Sequence, residues 1–263
     1  MKLFTIFGDP VSHSRSPLMH NHVFKLLNID ACYTRSQLTD GSKLREVFFA
    51  KALNGANITV PHKEAAYKAC DEIRGLANEV EAVNTIINEN GRLIGYNTDA
   101  DGFLAAIQSF GLLQNALILG AGGTAKALAT VLRQNNIKPT ILNRSANRLS
   151  YFIDNGFQTY DWDTFTPDNY NLIINTTSAG LSDDLLPIDA CVLDLLLTNA
   201  LCAIDVIYGK ETPFLKRVKK LNLPCKDGSD MLLEQGVLAN ALFIDNAASH
   251  ETIRTIMSQS FNY

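Results

Sequence analysis

"NALILGAGGTAKALATVLRQNN", Asn115–Asn136, carries the strongest fold signal in the chain: an apolar strand, a glycine-rich turn, then a helical pattern. Gly120, Gly122 and Gly123 stand at the turn, followed by the small residues Ala125 and Ala127 where the helix starts. Glycines there let the backbone turn tightly and approach a pyrophosphate, whose charge is met by free N–H groups at the helix N-terminus. The strands "PTILNR", "YNLIINTT" and "LCAIDVIY" follow, and "LPCKD" offers another, which makes this half a doubly wound, Rossmann-like unit.

The ribose of a dinucleotide is read about twenty residues past the glycines, where an Asp or Glu would bind a free 2′-hydroxyl. This chain has "LNRSANR" instead, with Asn143, Arg144, Ser145 and Arg148 and no carboxylate. Arginine forks suit phosphate oxygens, each such bond contributing about 1.5–3 kcal/mol, so the expected cofactor is NADP and not NAD.

Upstream, strand and helix signals alternate. "KLFTIFG", "ACYTRSQL" and "GANITV" read as strands; "SPLMHNHVFKLLN", with Ser16 at the cap and Pro17 in the first turn, and "GSKLREVFFAKAL" read as helices. That alternation implies a mostly parallel sheet. "VNTIINENGRLIGYN" then adds an antiparallel hairpin about Asn90-Gly91. Two helical patterns, Ser229–Asp245 and Ser249–Ser260, end the chain with no strand after them. They are expected to return to the first domain, giving residues 1–99 with 237–263 as a mixed α/β substrate domain and 100–236 as the dinucleotide-binding domain.

Bulk properties narrow the function. The 263 residues are 46% hydrophobic and 19% charged with a net charge of −4, a folded chain without a global field for nucleic acid or anionic membrane. The basic run "FLKRVKKL", Phe214–Leu221, places Leu215, Val218 and Leu221 three apart, so its cations read as the wet face of an amphipathic helix. Five scattered cysteines without a C-x-x-C pair point to a reduced, cytoplasmic compartment, and no apolar segment is long enough for secretion or membrane insertion. His20 and His22, two apart on a helix, face different ways and make a poor metal chelate.

A dinucleotide domain fused to a second α/β domain suggests an oxidoreductase that holds a small substrate against the nicotinamide. Candidate groups stand at strand ends: Ser12, Ser14 and Ser16 in "GDPVSHSRSP", Asn57, Thr59 and Lys63 in "NITVPHK", Asn84 in "AVNT", and Asn97, Thr98 and Asp99 in "GYNTDADG". Neutral hydroxyls suit a carboxylate or polyol. If these loops converge, Lys63 meets Asp99, and an ammonium beside a carboxylate can stabilise and protonate the oxyanion left by ketone reduction.

Together "GDPVSHSRSP", "NITVPHK", "EAVNT", "GYNTDADG", "GAGGTAKA", "NRSANR", "DVIY" and "DGSDMLLEQG" resemble the shikimate dehydrogenase family over nearly the whole chain. The resemblance implies reversible NADPH-dependent reduction of 3-dehydroshikimate to shikimate, on the way to aromatic amino acids. It implies Lys63 and Asp99 as the catalytic pair and Ser14, Ser16, Thr59, Asn84, Tyr208 and Gln235 as substrate contacts. For the cofactor it implies Gly120, Gly122, Gly123, Asn143, Arg144 and Arg148, with Ala121, Thr124, Ala125 and Ser145 in the same loops and Gly228 near the nicotinamide. No metal is expected, and the assembly is a monomer or homodimer. Ser229-Asp230 departs from the small or apolar residues more common in the family before Met231. Two rivals remain: a broader quinate/shikimate dehydrogenase using NAD, and a ligand-binding regulator without catalysis.

Overall fold

In the computed structural model, which describes residues 1–262, the chain divides into two units: Met1–Gly102 with the segment from Leu233 onward, and Phe103–Leu232. The divisions fall inside two helices, at 102/103 and 232/233.

The first unit runs β1 (Lys2–Gly8), α1 (Ser16–Leu26), β2 (Ala31–Gln37), α2 (Leu44–Ala50), β3 (Gly55–Ile58), α3 (Lys63–Ala69), β4 (Glu72–Ile73), α4 (Ala77–Val80), β5 (Thr85–Glu89), β6 (Arg92–Tyr96) and the start of α5 (Asp99–Ile107). Its sheet is ordered β2-β1-β3-β5-β6-β4. β1 pairs in parallel with both β2 and β3, whereas β5 runs antiparallel to β3 and to β6. Asn90 and Gly91 take φ values of 55° and 86°, the left-handed pair that a two-residue hairpin turn needs. On one face pack Phe7, Leu44, Phe48, Ile58, Ile86 and Leu93. On the other, Phe4 meets Phe24 and Phe243 with ring centres 5.6 and 4.5 Å apart.

The second unit continues with β7 (Asn115–Leu119), α6 (Gly123–Gln134), β8 (Lys138–Asn143), α7 (Ser150–Asp154), β9 (Gln158–Asp161), β10 (Leu172–Asn175), α8 (Ala190–Thr198), β11 (Cys202–Asp205), α9 (Pro213–Lys220), β12 (Cys225–Lys226) and the start of α10 (Ser229–Phe243); α11 (His250–Gln259) follows in the first unit. Every pairing is parallel, in the order β12-β11-β10-β7-β8-β9. Strand order reverses between β7 and β10, the place where doubly wound sheets bind ligands beyond their carboxyl ends.

Several local expectations shift. Ser16 is the first helical residue of α1 and Arg15, whose guanidinium has no acceptor to offer, occupies the cap without a side-chain bond; the Ser16 N–H donates to Ser14 Oγ at 3.3 Å. β3 stops at Ile58, two residues before Val60, where the chain leaves the ladder ahead of Pro61. In α9 the apolar face is Phe214, Leu215 and Val218; Leu221 lies past the helix end and is 45% exposed. β4 and β9 lack an apolar run and carry no strand signal in the sequence; each is a short edge strand.

His20 is 1% exposed, stacked on Tyr33 with ring centres 4.4 Å apart, and its Nδ1 faces Asn240 Nδ2 at 2.8 Å. Burial lowers its pKa to about 3, against a smaller raising effect of Asn57. Among the described residues no group of three or more His, Cys, Asp or Glu is placed to hold a metal ion. Nor is any helix long and apolar enough to cross a membrane. Because the native imidazole resists a proton that the unfolded one accepts below its ordinary value near 6.5, stability should fall as pH drops from there toward 3. The slope from this group is about 1.4 kcal/mol per pH unit. Urea unfolding between about pH 7 and pH 4.5 measures it, and His20→Gln should show the shallower slope.

Candidate active site

Strand ends of the first unit bring most of the candidate groups to one place. β3 ends at Ile58, whose N–H donates to the Asn84 carbonyl at 2.8 Å, and Asn84 N–H donates to Tyr96 O at 3.0 Å, so the ends of β3 and β6 flank Asn84. Val83 N–H in turn donates to the Lys63 carbonyl at 3.0 Å, placing the first residue of α3 beside them. Asp99 opens α5 just after β6, and its backbone N–H is held by Asn97 Oδ1 at 3.1 Å.

Across this junction Lys63 Nζ donates to Asp99 Oδ2 at 2.5 Å. Their side chains are only 12% and 10% exposed, so the pair is shielded from bulk water yet reachable. Exposed ion pairs contribute little, but withdrawing either charge from this pair would leave the other poorly solvated.

The remaining candidates separate into two kinds. Ser14 and Ser16 share a hydrogen bond at 3.2 Å, and Arg35 fixes their loop by donating twice to the Ser14 carbonyl, at 3.0 and 2.6 Å. Thr59 N–H donates to Phe7 O at 2.8 Å, which joins the loop after β3 to the end of β1. Asn57 and Asn97, offered by the sequence as pocket residues, instead serve the protein. Asn57 accepts from Tyr33 Oη at 2.7 Å, and Asn97 Nδ2 donates to Ala82 O at 2.9 Å. Ser12 is exposed. His62 is buried with its Nε2 against Leu38 O, a loop-shaping contact.

Gln235, on α10, reaches the same neighbourhood through glycine. A Cβ on Gly102 would stand 2.7 Å from the Gln235 backbone nitrogen, so the two helices cross in backbone contact one turn after Asp99.

In the second unit the cofactor candidates gather at the switch point. Gly120, with φ of +111°, turns the chain after β7, and a Cβ there would meet Thr176 Oγ1 at 2.6 Å. Thr176 Oγ1 donates to Leu119 O at 2.8 Å, closing the loop after β10 onto the glycine turn. Sequence reading passes over Thr176; its signal is "NTT" at a strand end. Ala121 and Gly122 complete the turn, and Gly123, Thr124 and Ala125 begin α6. Gly122 caps α6 without a side-chain bond, and a Cβ on it would touch nothing within 4 Å. That open space before uncapped helical N–H groups fits a pyrophosphate.

Asn143 ends β8 and donates to Ser145 O at 2.9 Å, shaping the loop that carries Arg144 and Arg148. Both arginines are exposed and neither forms an ion pair among the described residues. A 2′-phosphate fits this end better than a free hydroxyl does.

Tyr208 and Gly228 lie on loops set by a buried carboxylate that the sequence reading does not single out. Asp205, fully buried at the end of β11, accepts from Thr212 Oγ1 at 2.6 Å, Asn175 Nδ2 at 3.1 Å and Ile207 N–H at 3.1 Å. Burial pushes its carboxyl above the ordinary range, and those donors oppose the shift. Gly228 N–H donates to Ile207 O at 3.0 Å, and a Cβ at Gly228 would collide with the Val206 carbonyl. Asp230, the unusual acid, is paired with Lys226 at 2.7 Å.

A glycine turn at the switch point of one parallel unit, and a shielded lysine–aspartate pair at the strand ends of another α/β unit, are features that a nucleotide-dependent dehydrogenase requires. Residues 6–86 match the model of the shikimate dehydrogenase substrate binding domain. The shikimate dehydrogenase (NADP(+)) of Helicobacter hepaticus is 46% identical over 242 residues, 91% of this chain and 90% of that one. The enzyme of the same description from Helicobacter pylori is 41% identical over 99% of both chains. The structure of shikimate 5-dehydrogenase from Thermus thermophilus in complex with NADP(H) and shikimate is 31% identical with a TM-score of 0.83, covering 99% of this chain and 100% of that one. This chain belongs to the shikimate dehydrogenase family.

The backbone crossing of α5 and α10 gives a stability test. Gly102→Ala should cost about 1–3 kcal/mol, the range for forcing extra volume into a packed contact, as measured by denaturant unfolding.

Proposed function

We infer that the chain catalyses the reversible NADP-linked reduction of 3-dehydroshikimate to shikimate, with Lys63 and Asp99 as its acid–base pair. The observation that carries this reading is the shielded 2.5 Å contact between them, at the junction where Asn84 and Thr98 also meet. When bound, NADPH supplies a hydride to the carbonyl carbon. Lys63 stabilises the negative charge that gathers on the carbonyl oxygen and gives that oxygen a proton, so ketone becomes alcohol. In the oxidation direction the same amine takes the proton back. Asp99 holds the amine in place.

Ser14 and Ser16 supply neutral hydroxyl donors for the substrate carboxylate, while Thr59, Asn84 and Gln235 meet its ring oxygens. In the second unit Gly120, Ala121, Gly122, Gly123, Thr124 and Ala125 form the pyrophosphate cradle. Asn143, Arg144, Ser145 and Arg148 receive the 2′-phosphate end, Gly228 stands at the nicotinamide end, and Tyr208 is a further substrate contact. The lack of a carboxylate at Asn143 and Arg144 supports NADP over NAD. The chemistry needs no nucleic acid or membrane partner, one chain carries every named group so that a monomer or homodimer serves, and five free thiols accord with a cytoplasmic location.

Lys63→Ala should lower turnover of shikimate with NADP by about 10²–10⁴, the range of general acid–base catalysis, while NADP affinity by titration stays within a few fold. Equal loss of both would reject the assignment of Lys63. For the nucleotide, Arg144→Ala should raise KM for NADP about tenfold and leave that for NAD nearly unchanged, in steady-state rates with each cofactor. An unaltered ratio would move the phosphate contact elsewhere.

A further inference from the structure

Asn84 is held by more hydrogen bonds than a surface amide, and their polarity can be traced. Thr98 N–H, which can only donate, gives its proton to Asn84 Oδ1 at 2.8 Å, so the amide orientation is determined. Thr85 Oγ1 lies 3.0 Å from the same oxygen and Asn84 Nδ2 gives one proton to Thr98 Oγ1 at 3.0 Å. With both oxygen lone pairs and one N–H engaged, Asn84 has a single N–H left for a ligand.

The same amide is braced from deeper in the unit. Asn57 Nδ2 donates to the Asn84 carbonyl at 3.3 Å and to Thr85 Oγ1 at 3.0 Å. A backbone carbonyl only accepts, so Nδ2 must face it, and Asn57 Oδ1 faces Tyr33 Oη at 2.7 Å. Tyr33 therefore donates, Asn57 passes the polarity on, and the Thr85 hydroxyl, having accepted from Asn57, spends its own proton on Asn84. Tyr33 is 2% exposed and its ring lies flat on His20, with a 9° angle between planes, so the phenol oxygen has a fixed seat.

We propose that Tyr33 is a positioning residue for substrate binding, steadying through Asn57 and Thr85 the Asn84 amide whose one free N–H is presented to a substrate oxygen. The inference rests on the reading of Asn84 as a substrate contact. Without the hydroxyl, Asn57 Oδ1 loses one donor, and the Asn57 side chain, still turned with Nδ2 toward the Asn84 carbonyl, can shift in its seat and loosen its hold on the Thr85 hydroxyl that bonds Asn84. His20 also meets the Asn57 amide, so the loss is partial.

The test compares Tyr33→Phe, which keeps the stacked ring, with Thr85→Val and the double variant. Shikimate affinity by calorimetry and both Michaelis constants are measured on the full chain. Tyr33→Phe should raise Kd and KM for shikimate about three- to tenfold, the scale of one hydrogen bond. It should leave kcat and KM for NADP within about twofold, because the hydroxyl acts on a substrate contact and not on the proton transfer. Thr85→Val should move the same constants, and the double variant should be no worse than the more affected single one, since the residues act in series. Unchanged shikimate Kd and KM in Tyr33→Phe, with loss confined to melting temperature or active fraction, overturns the proposal, as do effects that multiply. If the unmutated chain neither binds nor oxidises shikimate, the functional reading falls first and this inference with it.

Discussion

Two opposite charges at the starts of two helices set the terms for the first unit. Lys63 is the first residue of α3 and Asp99 the first of α5. A carboxylate suits the positive end of a helix, but an ammonium there opposes the macrodipole and would be better solvated elsewhere. What keeps Lys63 in that position is Asp99 at 2.5 Å. The pair costs desolvation on both sides, a cost that a purely structural contact could avoid with apolar residues of similar size. Under the proposed acid–base role that cost is intelligible as chemistry: a proton carrier held ready beside its counter-charge.

Around that pair, the polar interior of the first unit has little slack. Asn57, Asn84, Thr85 and Thr98 are all nearly inaccessible to solvent and are joined to one another. In a low-dielectric interior each unpaired donor or acceptor would be expensive, so the backbone groups bonded to Asn57 and Asn84 fix which way both amides face. That property turns ordinary amides into directional groups. It also explains why a sheet carrying so many polar strand ends can still be buried: Asn57, Asn84, Thr85, Asn97 and Thr98 each find hydrogen-bond partners within the unit.

The second unit uses different means. Most of its strands are apolar and all pair in parallel, and its candidate cofactor groups lie in loops whose shape depends on a few backbone constraints. Gly120 has to be glycine because of both its positive φ and the nearness of Thr176, and Gly228 because the Val206 carbonyl fills the space of a side chain. Asp205 anchors the segment bearing Tyr208 by accepting from three donors, which offsets part of the cost of a buried carboxyl.

Much of this was legible in the residues. Period-two and period-3.6 apolar patterns marked the long strands and helices, Asn90-Gly91 marked the hairpin, and the glycines after β7 marked the strand-to-helix turn, because each is a local signal governed by backbone conformation and nearby side chains. Lys63 and Asp99 were identifiable as candidates, yet their contact spans 36 positions and exists only when β3, β5 and β6 lie side by side. Polarity at a strand end did not separate Asn57 and Asn97, which brace the protein, from Asn84, which keeps an N–H to spare. Short edge strands such as β4 and β9, with no apolar stripe, exist only through their neighbours' backbone. Sequence by itself determined which conformations and chemical groups were available; the tertiary structure decided which hydrogen bonds were already taken, because partners distant along the chain compete for each donor and acceptor only after folding brings them together.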